Sequence, residues 1–432
     1  MKFKYYPAFI LAAFIVTGCG MEGLPLAEDT DGGSRASTLQ AADIASSGSQ
    51  ASTEISNGSF PLGSQASTEI SNGSFPLDSQ ASTEISNGSF PLDSQASGAG
   101  ASESTDLGGG SPGPSASAGN TSGSGSAESF AALHGALSVK GTSLTDQNGS
   151  SVRLYGMSTH GIAWFPQYVS YGAFRTLRDD WNTNCVRLAL YTDEYNGYSN
   201  GGNQEELKSL VKEGIDYATD LGMYVIVDWH VLNDRDPNVH KEDAVGFFRE
   251  ISSLYGDHTN ILYEICNEPN GSTTWDNIKS YANEVIPVIR ENDADAVILV
   301  GTPTWSQDIH QAAASPLEFD NVMYTLHFYA ATHTDDLRSR LETCVSEGLP
   351  VFISEFGMCD ASGNGGNDFG QAEKWMELMD KYQISFCCWN LANKAETSSV
   401  LKSGCDKTSD WAEDDLSESG RWIRERFRGQ TE

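Results

Sequence analysis

Positive charge is what this chain most lacks. Its 432 residues hold 26 lysines and arginines against 59 aspartates and glutamates, a net charge of −33. A surface of that sign repels phosphate backbones, so nucleic-acid binding is not expected. It suits a soluble exterior and a neutral substrate. Long apolar runs are missing too: after residue 16 no segment is long and apolar enough to span a bilayer. There is no Cys-x-x-Cys and no His-x-x-x-His spacing, so neither a metal nor a cofactor is expected.

What is present falls into three parts. Lys2 and Lys4 precede a short apolar run over residues 5–16, the layout of a secretory signal. It leads into Val16-Thr17-Gly18-Cys19, which resembles the bacterial lipobox. That resemblance implies lipidation of Cys19 as the mature N-terminus, so 1–19 reads as a lipoprotein signal. The membrane would then be met only through a lipid anchor on the cell envelope, facing outward, or the protein would be secreted. Residues 20–130 carry 13 acidic side chains and one basic, Arg35. A 15-residue unit, QASTEISNGSFPLGS, starts at Gln50 and returns from Gln65 and Gln80 as QASTEISNGSFPLDS, filling 50–94. Each copy offers only Ile, Phe and Leu as apolar anchors, and a Ser/Gly-rich stretch follows. Such a composition buries too little surface to offset ordering entropy, so 20–130 reads as a flexible stalk. It has no aromatic-rich segment that would form a folded module of its own.

Residues 131–432 are enough for one large α/β domain. Short runs rich in β-branched and aromatic residues fall at 152–157, 185–191, 223–229, 261–266, 297–301, 322–328, 351–354 and 384–389. Amphipathic stretches such as 205–221 and 275–292 alternate with them, and a hairpin turning at Asn148-Gly149 precedes the first. Eight such units predict an α/β fold, the (β/α)8 TIM barrel, expected as a monomer, with its site at the strand C-terminal ends. Cys185, Cys266, Cys344, Cys359, Cys387, Cys388 and Cys405 are expected as free thiols buried in apolar runs, with Cys387 and Cys388 on opposite faces.

Two glutamates, Glu268 and Glu355, stand at the ends of such runs, ILYEICNEPNG and PVFISEFG. A carboxylate there does not serve a core, because burying an unpaired charge costs too much. Two of them converging on one cleft are the machinery of glycoside hydrolysis. The other strand ends are similarly marked. They carry His160 and Trp164, Arg187 and Tyr191, Asp228-Trp229-His230, Trp305, His327 and Tyr329, and Trp389 with Asn393, Lys394 and Glu396 beyond it.

With Asn-Glu-Pro at Asn267 to Pro269, and STHGIAWF, VRLALYT, VIVDWH, HFYA, ISEFG and CCWNLANKAE in order, the chain resembles glycoside hydrolase family 5. The likeness is to its bacterial endo-β-1,4-glucanase branch and covers essentially all of 131–432. The resemblance implies Glu268 as general acid/base and Glu355 as nucleophile of a retaining reaction. It implies Arg187 keeping Glu355 anionic, Asn267 on the sugar 2-hydroxyl, His327 and Tyr329 orienting the nucleophile, and His230 beside the cleaved sugar. Trp164 and Trp389 would stack sugars on the non-reducing side and Trp305 on the leaving-group side, with His160, Tyr191, Lys394 and Glu396 also binding substrate. The partner implied is a β-1,4-glucan. Trp181, Trp229, Trp275, Trp375, Trp411 and Trp422 are assigned to packing. Two other readings remain: another β-glucan or β-mannan endohydrolase of this fold, and a non-catalytic glycan-binding surface lipoprotein, which would lack a carboxylate.

Overall fold

Valine, isoleucine and aromatic residues set the strands, because branched and flat side chains pack well on a pleated surface. The computed structural model describes residues 129–430. The lipobox with Cys19 and the repeats at 50–94 lie outside the described residues. A short helix, Phe130–His134, precedes the antiparallel pair β1 (Ser138–Lys140) and β2 (Ser143–Thr145). Eight parallel strands then follow: β3 (Tyr155–Thr159), β4 (Cys185–Tyr191), β5 (Tyr224–His230), β6 (Ile261–Glu264), β7 (Val297–Val300), β8 (Val322–Tyr329), β9 (Val351–Gly357) and β10 (Phe386–Leu391). They close in chain order, β10 pairing with β3, into one barrel. This is the (β/α)8 fold the eight runs predicted.

Helices between the strands are punctuated as their sequences require. Helix Gln204–Leu221 starts where the Asn203 side chain accepts from the Glu206 amide, and it ends at Gly222, whose φ of 66° suits glycine. Helix Trp275–Arg290 opens on a capping box between Thr274 and Asn277. Several boundaries differ from expectation, the last strand running Phe386–Leu391 and the one before it extending to Gly357. The β1–β2 pair turns at Gly141, whereas Asn148-Gly149 turns the chain into a single bridge, Thr145 to Ser151. The first barrel strand begins at Tyr155, because the Leu154 amide is taken by the Ser385 hydroxyl.

The alternation of strand side chains sorts the interior from the shell. Cys185, Ile226, Leu262, Leu299, Met323, Phe352 and Cys387 fill the lower interior, together with Leu137, Leu144 and Val152 from the N-terminal segment. That segment closes the base of the barrel: Tyr224 donates to the Gly135 carbonyl, and the Val139 amide donates to Asn321. Cys388 instead joins the cluster between strands and helices, so the adjacent cysteines do face opposite ways. All seven described cysteines are free and buried. The six tryptophans assigned to packing are 0–8 % exposed. Among the described residues no helix is long and apolar enough to cross a membrane.

Candidate active site

Above the apolar layer the same inward positions turn polar. Arg187 lies two residues beyond Cys185 on β4 and is wholly buried. Its Nε donates to Glu264 Oε2 at 2.7 Å, and Nη2 donates to Asn267 Oδ1 at 2.6 Å and lies 3.0 Å from Asp228 Oδ2. Its Nη1 reaches Ser158 Oγ at 3.2 Å and Glu355 Oε2 at 3.3 Å. One guanidinium thus serves three carboxylates from three strands and offsets part of the cost of burying them; burial still pushes Asp228 well above the usual carboxylate range, with Arg187 pulling the other way. Glu264 shows the other outcome: burial would raise it, but Arg187 and His327 outweigh burial and hold it down to about 2.

A bulge in β9 aims the second catalytic candidate. Against β8, Thr325 pairs with Phe352 but His327 pairs with Glu355; against β10, Phe386 pairs with Ile353 but Cys388 pairs with Phe356. Both neighbours therefore record one extra residue in β9, at Ser354–Glu355, and such a bulge re-aims a side chain. Glu355 Oε1 accepts from the Tyr329 hydroxyl at 2.8 Å. The Tyr329 ring lies over Gly357, where an added Cβ would meet it at 2.7 Å. Burial pushes the Glu355 carboxyl up to about 7, helped by the Glu268 charge; His327, Arg187 and Tyr329 pull it down without cancelling that push. Arg187 therefore draws Glu355 toward ionisation, but its stronger contacts lie with Glu264 and Asp228.

Glu268 follows β6 on a segment stitched to the β5 loop, its amide donating to the Val231 carbonyl. Its side chain is 12 % exposed, and Oε1 lies 2.9 Å from His327 Nδ1. His327 Nε2 lies 2.8 Å from Ser354 Oγ, which donates to Glu264 Oε1 at 2.7 Å. Burial alone would depress His327, but its links toward Glu264 and Glu268, with the Glu355 charge, lift it to about 9. Charged at neutral pH, it donates from both nitrogens, which leaves Glu268 Oε2 as the atom to carry a transferable proton. One oxygen each of Glu268 and Glu355 and a His327 nitrogen all lie within 4.8 Å of one another. These are the one set of metal-type donors grouped so closely among the described residues, and they are already engaged with each other and with Tyr329.

Asn267 and His230 are committed to one another. The Asn267 amide nitrogen meets His230 Nε2 and the Val231 carbonyl, both at 3.2 Å, and His230 Nδ1 lies 2.6 Å from Asp228 Oδ2. Burial, then the charge of Arg187, keeps His230 neutral. Donation from Asn267 makes Nε2 its acceptor, so Nδ1 carries the proton toward Asp228. Both amide protons are thus taken, and Oδ1 accepts from Arg187, so a sugar 2-hydroxyl would meet Asn267 at the second lone pair of Oδ1 or by displacing one of these partners.

The aromatic residues divide by exposure. Trp389 is 5 % exposed, parallel to the His230 ring at 5.3 Å and close to His160 and Tyr191, so it forms the floor of the cleft. Trp164 is half-buried at the rim, its indole N–H donating to the Tyr195 carbonyl and its ring 4.7 Å from Tyr191. Lys394 Nζ bridges Glu396 Oε2 at 2.5 Å and His160 Nε2 at 3.2 Å, which ties the β10 loop to the β3 end. Trp305 stands apart from these, 45 % exposed after β7, joined to the Glu268 segment through its amide and the Pro269 carbonyl.

Two residues escaped the sequence reading as site groups, Glu264 and Ser354, and Asp228, noted at its strand end, was given no role. Glu264 sits inside an apolar run, and a charge at an inward position of a buried strand was itself the signal. Ser354 gave none, because its direction depends on the bulge.

The family model described as "Cellulase (glycosyl hydrolase family 5)" matches residues 145–395. The chain is 52 % identical over 293 residues to endoglucanase A of Butyrivibrio fibrisolvens, covering 67 % of this chain and 68 % of that one. It is 46 % identical over 297 residues to an endoglucanase of Clostridium saccharobutylicum, covering 68 % and 65 %. The catalytic domain of Thermobifida fusca endoglucanase Cel5A superposes with a TM-score of 0.66 at 39 % identity, covering 69 % of this chain and 99 % of that one.

Proposed function

The chain belongs to glycosyl hydrolase family 5, the cellulase family, and from that premise we propose that it is an endo-β-1,4-glucanase acting on cellulose-like chains with retention at the anomeric carbon. The observation that carries the proposal is the approach of Glu268 and Glu355 within 4.8 Å, oxygen to oxygen. Retaining glycosidases hold their carboxyls about 5–5.5 Å apart, whereas inverting ones leave room for a water between them. Glu355, ionised and steadied by Tyr329 and Arg187, attacks the anomeric carbon. Glu268 delivers a proton from Oε2 to the leaving oxygen, forming a glycosyl ester. Glu268 then takes a proton from water, which attacks the ester and frees Glu355. His327 holds Glu268 in place, and His230, neutral, lines the wall behind the cleaved sugar.

Substrate would lie along the aromatic floor. Pyranose rings stack their C–H faces on indole, with Trp164 and Trp389 on the non-reducing side, Trp305 on the other, and His160, Tyr191, Lys394 and Glu396 offering hydroxyl partners. Names of relatives that are endoglucanases support glucan. The signal pattern and Cys19 support an enzyme held by lipid on the outer face of the cell envelope, the 20–130 segment serving as tether. The test is reducing-sugar release from carboxymethyl-cellulose beside mannan and mixed-linkage glucan, with the first-formed anomer read by NMR. Glucan cleavage giving the β-anomer first is expected. Mannan preference, or the α-anomer first, would overturn the proposal.

A further inference from the structure

We propose that Ser306 is a positioning residue that locks Trp305 and the segment carrying Glu268 into one unit, so that the leaving-group sugar and the proton donor stay aligned. Thr304, Trp305 and Ser306 have φ values of 61°, 54° and 53°, with ψ of 55° and 51° at the first two. Three consecutive non-glycine residues in the left-handed region are costly, and such strain persists only where surrounding contacts over-determine it. The turn sets Trp305 outward while Ser306 is wholly buried.

The contacts that hold the turn converge on one hydroxyl. Ser306 Oγ donates to the Asn267 carbonyl at 2.6 Å and accepts from the Thr302 amide and the Thr325 hydroxyl, both at 3.2 Å. One donor and two acceptor sites are all used. A second thread runs parallel: the Trp305 amide donates to the Pro269 carbonyl at 3.0 Å. Asn267 and Pro269 flank Glu268, so both threads end on its two neighbours. The approach is as close as backbones allow. An added Cβ at Gly301 would lie 2.2 Å from the Cys266 carbonyl and 2.8 Å from that of Asn267. Because the hydroxyl is what joins strained turn to acid/base segment, its loss should misalign the two rather than remove either.

This rests on Trp305 serving the leaving-group side, and the test separates the two claims. Cellopentaose occupies both sides of the cut, whereas 2,4-dinitrophenyl β-cellobioside needs neither a stacking platform nor a proton for its leaving group. A displacement of about an ångström costs roughly 10²-fold at a reacting site, so Ser306→Ala should lose about 30-fold or more in kcat/KM on cellopentaose and about 3-fold or less on the aryl substrate. Coupled residues are not additive, so Trp305→Ala with Ser306→Ala should be no worse than Trp305→Ala alone, within about 2-fold. Thr325→Val, which removes one donor to the hydroxyl, should show the same selectivity at smaller size and serves if Ser306→Ala does not fold. If Trp305→Ala slows cellopentaose while the Ser306 and Thr325 variants slow both substrates equally, or neither, the positioning role is overturned. If Trp305→Ala itself leaves cellopentaose unaffected, the reading of Trp305 is what fails.

Discussion

Ser354 and Glu355 are adjacent on β9, yet both side chains enter the barrel, Ser354 Oγ at 2.7 Å from Glu264 and Glu355 Oε1 at 2.8 Å from Tyr329. Neighbours on a regular strand point to opposite faces; the bulge recorded by β8 and β10 lets both turn inward. One extra residue thus joins the nucleophile candidate to Arg187 and the acid/base candidate, through His327, to Glu264.

Ser354→Ala breaks that second link. Leaving a buried charged group short of a partner costs about 1.5–3 kcal/mol, so stability from urea titration should fall by that order. His327 would lose part of what lifts it to about 9, and the alkaline limb of kcat/KM should move to lower pH. Unchanged stability and an unchanged limb would show that Ser354 transmits nothing.

Glu355 sits at about 7 in the fold against an ordinary 4.5. The folded state therefore binds this proton more tightly than the unfolded chain does. Its stabilising contribution is complete below about 4.5 and is lost as pH rises through about 7. Glu355→Gln should abolish glucan hydrolysis, by about 10³-fold or more. It should also melt higher than the parent at pH 8 while matching it at acid pH. Identical pH dependence of melting in the two proteins would contradict the burial argument.

Tyr329 donates to ionised Glu355, so Tyr329→Phe should raise the carboxyl further. The acid limb of kcat/KM, expected near 7 in the parent from the Glu355 carboxyl, should move up, and activity below neutrality should drop by about 10-fold, the worth of one charge-assisted hydrogen bond. Gly357→Ala, which drives a Cβ into the Tyr329 ring, should move the limb the same way. A limb that stays put would mean that the phenol does not govern Glu355.

Arg187→Met removes the shared counter-charge from Glu264, Asp228 and Glu355. Breaking a buried ionic group in this way costs about 3–5 kcal/mol, so the thermal midpoint should fall by several degrees or more. A variant as stable as the parent would refute the account of how these carboxylates are buried.

On the proposed lipid anchor, Cys19→Ala should shift glucanase activity from the membrane fraction to the soluble or medium fraction. Unchanged fractionation would refute the lipid anchor.

Much of this molecule is legible in its sequence. Eight β-branched runs separated by amphipathic stretches leave a parallel barrel as the arrangement that buries every run on both faces. A carboxylate such as Glu268 or Glu355 at the end of such a run marks the open face, because burying one without a partner costs too much. What the sequence does not encode locally is direction and sharing. Whether Ser354 faces in depends on how β8 and β10 pair with β9, and where Glu355 titrates depends on how Arg187 divides itself among carboxylates 41, 77 and 168 residues distant in the chain. Asn267 reads from the sequence as a substrate contact, and only the fold shows that its amide also engages His230 and Val231. The pattern of apolar and charged residues fixes which strands form and where the cleft opens. Register, close approach and the low dielectric of the interior, which exist only once the barrel closes, decide how each group in that cleft is held and charged.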